Sequence, residues 1–373
     1  MPPLVSIVMP AYNAQETISE SIRSAIAQTW EQKEIIVVDD GSSDDTLSIA
    51  RRFESKCLKV VVQENQGVAA ARNTALSLCQ GDYIQYLDAD DLLAPDKISR
   101  QMAVLGPYAS RRTLLSSSWG TFFYRYYRAK FTPTALWCDL SPLEWLMRKF
   151  EHDVYFQTSA WLVSRELTEA AGPWNARLRV DNDGEYFARV VLASDCVQFI
   201  PAAKVYYRIS GPGSVGYVGH SDVKRDSLWL SIQLHIRYIR SLEDSERVRA
   251  ACVQYLQRYL SIFFPERPDI VKQAEELTRQ LGGQLGPPTL CWTLPMIGQT
   301  EAPYSWIKSL FGFRLAKRAR LALPLRIWSA VRMWDKLLFR IQSRPRNAFW
   351  NGVAEIPSTS HCAHKNATLA NHS

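Results

Sequence analysis

The chain lacks any apolar run approaching the roughly 18 residues that span a bilayer, so no transmembrane helix is expected. It also lacks a basic amino-terminal region with a small-residue cleavage site. MPPLVSIVMPAYN runs directly into a strand-like stretch, and no secretory signal is expected. There is no C-x-x-C pair. The cysteines (Cys57, Cys79, Cys138, Cys196, Cys252, Cys291 and Cys362) are odd in number and scattered, which argues against a disulfide framework or a zinc site. Reduced thiols in a cytosol fit that usage. No internal repeat is present. Acids are nearly missing from one segment: between Lys308 and Arg346, nine further basic residues from Arg314 to Arg344 face only Asp335. The net charge of +7 is therefore local. It points to a surface partner for that segment, and no nucleic-acid partner is expected.

What is present suits a globular chain. A length of 373 residues allows one large or two ordinary domains, and a hydrophobic fraction of 47% excludes wholesale disorder. The first hundred residues alternate strand and helix. Strands are predicted at Leu4–Met9, Glu34–Val38, Leu58–Val62 and Tyr83–Leu87. Helices are predicted from about Glu16, with Asn13 as N-cap and Ile18, Ile22 and Ile26 as apolar stripe, then at Thr46–Phe53 and Val68–Leu78. Continuous β-branched runs separated by helices predict an α/β fold with a mostly parallel sheet covered on both faces. Farther on, strands are predicted at Leu114–Tyr124, Tyr155–Val163, Val197–Ile200 and Lys204–Arg208, and helices at Pro142–Phe150 and Glu185–Ala193. Beyond about Gly219 the chain reads as helical, with breaks at Pro265–Pro268 and Gly282–Pro288. From roughly Ser343 it loses periodicity and reads as a loose tail.

Ligands of such sheets bind beyond the carboxyl ends of the strands. Tyr12, Asp39 and the cluster Asp88, Asp90 and Asp91 all fall there, so they are expected to line one crevice. The Asp88-Ala89-Asp90 spacing suits a divalent cation held by hard oxygen ligands, Mg²⁺ or Mn²⁺, which would offset the repulsion among the acids. The alternative is a solvated acidic turn.

Four linked stretches, SIVMPAYNAQETISESIRSAIAQT, EIIVVDDGSSDDT, NQGVAAARNTAL and GDYIQYLDADD, make residues 4 to 105 resemble the family 2 glycosyltransferases of the GT-A fold. The resemblance implies a Rossmann-like central sheet flanked by helices, a nucleotide-sugar donor, a divalent cation and inversion at the anomeric carbon. It places Pro10 and Tyr12 beside the nucleotide and Asp39 on the base. A carboxylate there can accept the N3–H of uracil, which favours a UDP-sugar. It further implies that Arg72 and Gly67 lie on the donor side, that Asp88 faces ribose and metal, and that Asp90 is the principal metal ligand. Asp91 is a weaker candidate, and Asp40 is left to turn chemistry with Gly41 and Ser42.

The family's catalytic base is an aspartate, commonly in an E-D pair before a helix carrying an aromatic and an arginine. In LRVDNDGEYFARVVLAS, aligning Phe187 and Arg189 with that helix puts Asn182-Asp183 at the pair. Asp183 is the candidate base, with Asp181 and Glu185 as rivals and helix capping as the alternative role. Trp161 could stack on a sugar face or sit in the core. The stretch GPGSVG at 211–216 fits G-x-G-x-x-G, yet no helix pattern follows it, so a dinucleotide site is not expected. It is placed instead as a loop near the diphosphate, with Arg208 or His220 close by.

Single-sugar transfer is favoured, because the Q-x-x-R-W pattern and membrane helices of processive synthases are absent. The acceptor class implied is a glycan or a lipid-linked sugar. In the basic segment, Trp328, Val331, Trp334, Leu338 and Ile341 recur at helical spacing, with Arg332, Lys336 and Arg340 on another face. Such a helix can lie on an anionic membrane surface or pack on the catalytic domain. The expected organisation is a catalytic domain over 1–218 with a nucleotide-sugar-binding half over 1–106 and an acceptor half over 107–218. A helical region over 219–345 and a tail over 346–373 follow. The expected location is cytoplasmic, peripheral at the inner face of the membrane. A nucleotidyltransferase, or a non-catalytic binder of the same fold, is the alternative reading.

Overall fold

The structure, a computed structural model, describes residues 2–105, 110–152, 154–209, 218, 221–288, the backbone of 292–294 and 298–300, and residues 333, 336 and 337. The chain opens as β1 (Val5–Ala11), α1 (Ile18–Ile26), β2 (Lys33–Asp39), α2 (Thr46–Arg51), β3 (Leu58–Val62), α3 (Val68–Leu78) and β4 (Tyr83–Tyr86). These strands lie in the order β3-β2-β1-β4, all parallel, with Val5 opposite Lys33 on one side and Tyr83 on the other. Every residue of β1 is buried, as a strand covered on both faces requires. Alternate side chains therefore enter different cores. Ile7, Met9, Ile35 and Val37 pack with Ile18 and Ile22 of α1, while Val8, Ile36, Val38 and Ile84 pack with Ala71 and Ala75 of α3.

The second half continues as β5 (Leu92–Leu93), α4 (Lys97–Met102), β6 (Thr113–Phe122), β7 (Lys130–Phe131), α5 (Pro142–His152), β8 (Leu162–Ser164), α6 (Arg165–Ala171), α7 (Asn182–Ala193) and β9 (Cys196–Arg208). β8 runs antiparallel to β4 and joins the two halves into one nine-stranded sheet, β3-β2-β1-β4-β8-β6-β9-β5, with β7 beside β6. The helices α8 (Asp222–Leu242), α9 (Glu246–Phe263) and α10 (Pro268–Gln280) follow, and Ile232, Ile236, Tyr255 and Ile270 share a core with Trp145, Phe150 and Tyr186. Ser221 and Ser245 start α8 and α9, each accepting the N–H three residues on. A hairpin pairs Trp292–Leu294 with Gly298–Thr300. Among the described residues no helix is long and apolar enough to cross a membrane.

The fold is the α/β class expected, with four departures in detail. Asn13 does not cap α1; it sits at φ 47° and its Oδ1 accepts from the Ser43 N–H at 2.9 Å, while the helix begins at Ile18. The predicted strand at 155–163 is mostly a turn, with a 3₁₀ segment at Thr158–Ala160 before β8, because the Gln157 side chain takes the Thr158 N–H. α7 starts three residues earlier than predicted, behind Asp181 in the left-handed region. The two strands predicted around Pro201 are one, β9, with a register shift opposite Ser117 and Ser118. Of the basic segment 308–346, only Met333, Lys336 and Leu337 lie within the described residues. Met333 and Leu337 are exposed, and Lys336 Nζ is 2.9 Å from Glu16 Oε1.

Candidate active site

The site forms where β1, β2 and β4 end. Asp39 closes β2 and is buried. Its Oδ2 accepts from the Ser42 N–H at 3.1 Å, whereas Oδ1 is enclosed with no hydrogen-bond partner among the described residues. A buried acceptor left unpaired is costly, so it marks a place where a ligand N–H fits. Asp40 beside it is fully engaged: Gln63 Nε2, the Gln66 N–H and the Gly67 N–H reach its carboxylate at 2.7, 2.9 and 2.8 Å. Those bonds hold Gly67 at φ 92°, where a Cβ would be strained and would meet Arg179 Nη1 at 3.0 Å. Tyr12, just past β1, keeps 53% of its surface exposed, while Pro10 is buried inside β1 opposite Val38.

The acid loop after β4 is braced by two buried arginines. Arg72, on the small-residue face of α3, is only 4% exposed. One Nη contacts Asp88 Oδ1 at 2.6 Å, the other donates to Asn182 Oδ1 at 2.9 Å, and the guanidinium lies 4.2 Å from the Trp174 ring centroid. Arg72 is therefore not a solvent-facing helical arginine. Arg208 is a strut rather than a loop residue beside the diphosphate. Its N–H reaches Asp91 Oδ1 at 2.9 Å, Nε reaches the Asp90 carbonyl at 2.8 Å, and one Nη pairs with Glu20 at 2.5 Å.

Asp91 points into the protein, where Gln157 Nε2 and Ser159 Oγ also donate to it. Burial, followed by the charges of Asp90 and Asp88, pushes its carboxyl well above the usual carboxylate range. Asp88 and Asp90 remain partly open. Among the described residues no cluster of three or more His, Cys, Asp or Glu side chains could hold a metal. Two carboxylates still fit Mg²⁺ or Mn²⁺ bound chiefly through phosphate and water oxygens. Arg72 pairs with Asp88, whereas the charged end of Arg208 pairs with Glu20 and meets Asp90 only at its carbonyl.

The three acids around the start of α7 diverge. Asp181 Oδ2 accepts from Ser231 Oγ at 2.6 Å and lies 3.7 Å from His235 Nδ1, facing α8. Glu185 is buried, paired with Arg189 at 2.9 Å and accepting from the Tyr238 hydroxyl at 2.6 Å. Of the three, Asp183 bonds to the turn that also holds Asp91: its Oδ2 accepts from Thr158 Oγ1 at 3.2 Å. Tyr155 and Tyr207 stand nearby, ring centroids 5.7 Å apart. Burial at the hydroxyl end raises both phenols, although half of the Tyr155 surface is exposed; next come Tyr207 and Asp183 for Tyr155, and Asp91 and Asp90 for Tyr207.

Trp161 belongs to the core, fully buried against Phe156 and Phe187, and offers no ring face to a sugar. His220 and the 211–216 stretch lie outside the described residues. Sequence reasoning missed Asn182 as a partner of Arg72, and it missed Tyr155, Gln157 and Thr158. The available signal was the polar Gln157-Thr158-Ser159 trio inside an expected hydrophobic strand.

In an open α/β sheet, acids gathered beyond the carboxyl ends of the strands lie where ligands of such sheets bind. Comparison with known proteins agrees. Residues 6–128 match the family model described as Glycosyl transferase family 2. The chain is 43% identical over 103 residues to an Escherichia coli protein named UDP-Glc:alpha-D-GlcNAc-diphosphoundecaprenol beta-1,3-glucosyltransferase WfgD, across 27% of this chain and 41% of the relative. It is 45% identical over 98 residues to Escherichia coli chondroitin synthase, across 26% of this chain and 14% of the relative. The chain thus spans about two fifths or less of these curated relatives. Among solved structures it is similar to S. aureus TarS 1-349 in complex with UDP-GlcNAc, with TM-score 0.61 and 18% identity over 74% of this chain and 81% of that one. That likeness is one of fold. Together these findings support a family 2 glycosyltransferase domain in the amino-terminal part.

Proposed function

We propose that the chain is an inverting, non-processive glycosyltransferase that moves one sugar from a uridine nucleotide-sugar to a hydroxyl of a glycan or lipid-linked acceptor. The observation that carries this is the buried, unpaired Oδ1 of Asp39 at the end of β2, with Asp88 and Asp90 just past β4 and Asp183 at the start of α7. With Oδ2 taken by Ser42, one oxygen is left for one N–H. That suits the single imide N–H of uracil better than the two parallel donors of guanine, while cytosine and adenine present no ring N–H there. Tyr12 lies open beside the base, and Asp88 and Arg72 lie toward the ribose and diphosphate. Asp88 and Asp90 would hold Mg²⁺ or Mn²⁺, which when bound supplies positive charge to the departing diphosphate. Asp183 accepts the acceptor's hydroxyl proton as that oxygen bonds to C1 and the C1–O bond to the diphosphate breaks on the opposite face. One carboxylate acting as base gives inversion without a covalent sugar–enzyme step.

The relatives named above include a glucosyltransferase acting on a diphosphoundecaprenol-linked sugar, which supports a cell-surface polysaccharide or glycolipid pathway. A lipid-linked acceptor in turn supports a cytoplasmic enzyme at the membrane face, with the basic 308–346 segment on anionic lipid. The decisive experiment is a panel of nucleotide-sugars with Mn²⁺, scored for nucleoside diphosphate release. Asp183→Asn is expected to lose at least a hundredfold in turnover while still binding UDP by calorimetry. Release from no nucleotide-sugar, or full turnover in Asp183→Asn, would refute the reading. Liposome binding should be lost on truncation before Lys308; unchanged binding removes the membrane contact.

A further inference from the structure

Three residues of one turn link the acid loop to α7. Asp91 is fully buried and collects donors from both sides: the Arg208 N–H at 2.9 Å, Gln157 Nε2, and Ser159 Oγ at 3.2 Å. Gln157, 1% exposed, uses its remaining oxygen to accept from the Thr158 N–H at 3.1 Å and from the Tyr155 hydroxyl at 2.8 Å. Thr158 is thereby fixed at its backbone, and it too is 1% exposed. Its hydroxyl donates to Asp183 Oδ2 at 3.2 Å. Asp183 Oδ1 has no hydrogen bond among the described residues. A carboxylate tethered through one oxygen presents the other in a fixed direction, which is the condition for taking a proton along a defined line.

We propose that Thr158 is a positioning residue for the transfer reaction: it holds Asp183 by Oδ2 so that Oδ1 faces the acceptor hydroxyl, and Gln157 and Asp91 anchor it. This rests on Asp183 as base. The 3₁₀ segment Thr158–Ala160 is held at Ala160 by apolar neighbours and by Gln101 and Ser117 on its carbonyl, none of which requires a hydroxyl at 158. A buried threonine whose only role was volume would be replaceable by valine, which has the same shape and no hydroxyl.

The test uses the full chain and whichever nucleotide-sugar the panel shows to be turned over. Thr158→Val is expected to lower kcat roughly tenfold, the scale of one hydrogen bond to a charged group. The KM for the nucleotide-sugar, UDP affinity by calorimetry and melting temperature should stay near those of the parent. Thr158→Ser, which restores the hydroxyl, should recover kcat to within about threefold. If Thr158→Val does not accumulate as folded protein, Thr158→Ala takes its place against the same serine rescue. Full kcat in the valine or alanine variant, or a serine variant as slow as either, overturns the proposal. Asp183→Asn, measured alongside, separates the two ideas. If it is inactive while Thr158→Val is unimpaired, the base stands and the tether falls. If Asp183→Asn is active, the base assignment itself has failed.

Discussion

At the scale of single residues, the site is governed by which acids are already spoken for. Asp40, Asp91, Asp181 and Glu185 each hold the scaffold together through named donors, whereas the buried Asp39 Oδ1 has no partner among the described residues and is the atom proposed to meet a ligand. Arg72 illustrates how far this lies from sequence. AARN on a helix looks solvent-facing, and only the approach of Asp88 and Asn182, the latter 110 positions away, shows that it is buried. Its planar fork serves both partners at once, which a lysine cannot reproduce. Arg72→Lys is therefore expected to destabilise the protein by about 2 kcal/mol, because one buried partner is left unmatched. It should also raise the donor KM. Urea denaturation and initial-rate kinetics check both, and parent-like stability would contradict the bridging role.

At the scale of elements, agreement follows local chemistry and disagreement follows distant contacts. β3 and α3 fall where predicted because the turn between them carries Gly67 and because both patterns are strong. The 155–163 stretch was legible as apolar but not as a turn, since its shape depends on Asp91 entering from another part of the chain. The same holds for α7, whose start is set by Asp181 reaching Ser231 of α8.

Between α8 and α9, His235 is fully buried, with Nδ1 2.8 Å from the Tyr255 hydroxyl. Burial, and next the charge of Lys149, lower its pKa from 6.5 to about 3. Because the folded value lies below the unfolded one, the stability is fully present above pH 6.5 and is lost as pH falls toward 3. Between those limits the unfolded chain binds the extra proton. The expected slope from this group is at most about 1.4 kcal/mol per pH unit. His235→Phe should flatten that part of the stability curve measured by urea unfolding. An unchanged slope would show that the imidazole does not carry it.

At the scale of the whole molecule, the sheet and the helices α8 to α10 behave as one body because they share apolar neighbours. Trp145 and Phe150 of α5 and Tyr186 of α7 lie in the same core as Ile232, Ile236 and Tyr255, and Phe150 stacks on Tyr255 with centroids 4.2 Å apart. A chain ended at residue 218 would leave that surface in water, at a cost of about 25 cal/mol for each Å² exposed. It is expected to aggregate or to melt without a cooperative transition in calorimetry, while the full chain unfolds in one. A fragment that melted as sharply as the parent would show that the sheet is independent.

The proposed nucleotide site at the strand ends would select uridine through one oxygen of Asp39. Calorimetric titration of UDP, GDP, CDP and ADP, each with Mn²⁺, into the parent and Asp39→Ala tests it directly. Heat is expected with UDP and the parent, at least tenfold weaker UDP binding in Asp39→Ala, and weaker binding of the other three by the parent. Equal affinity for all four nucleotides, or undiminished UDP binding in Asp39→Ala, would contradict it.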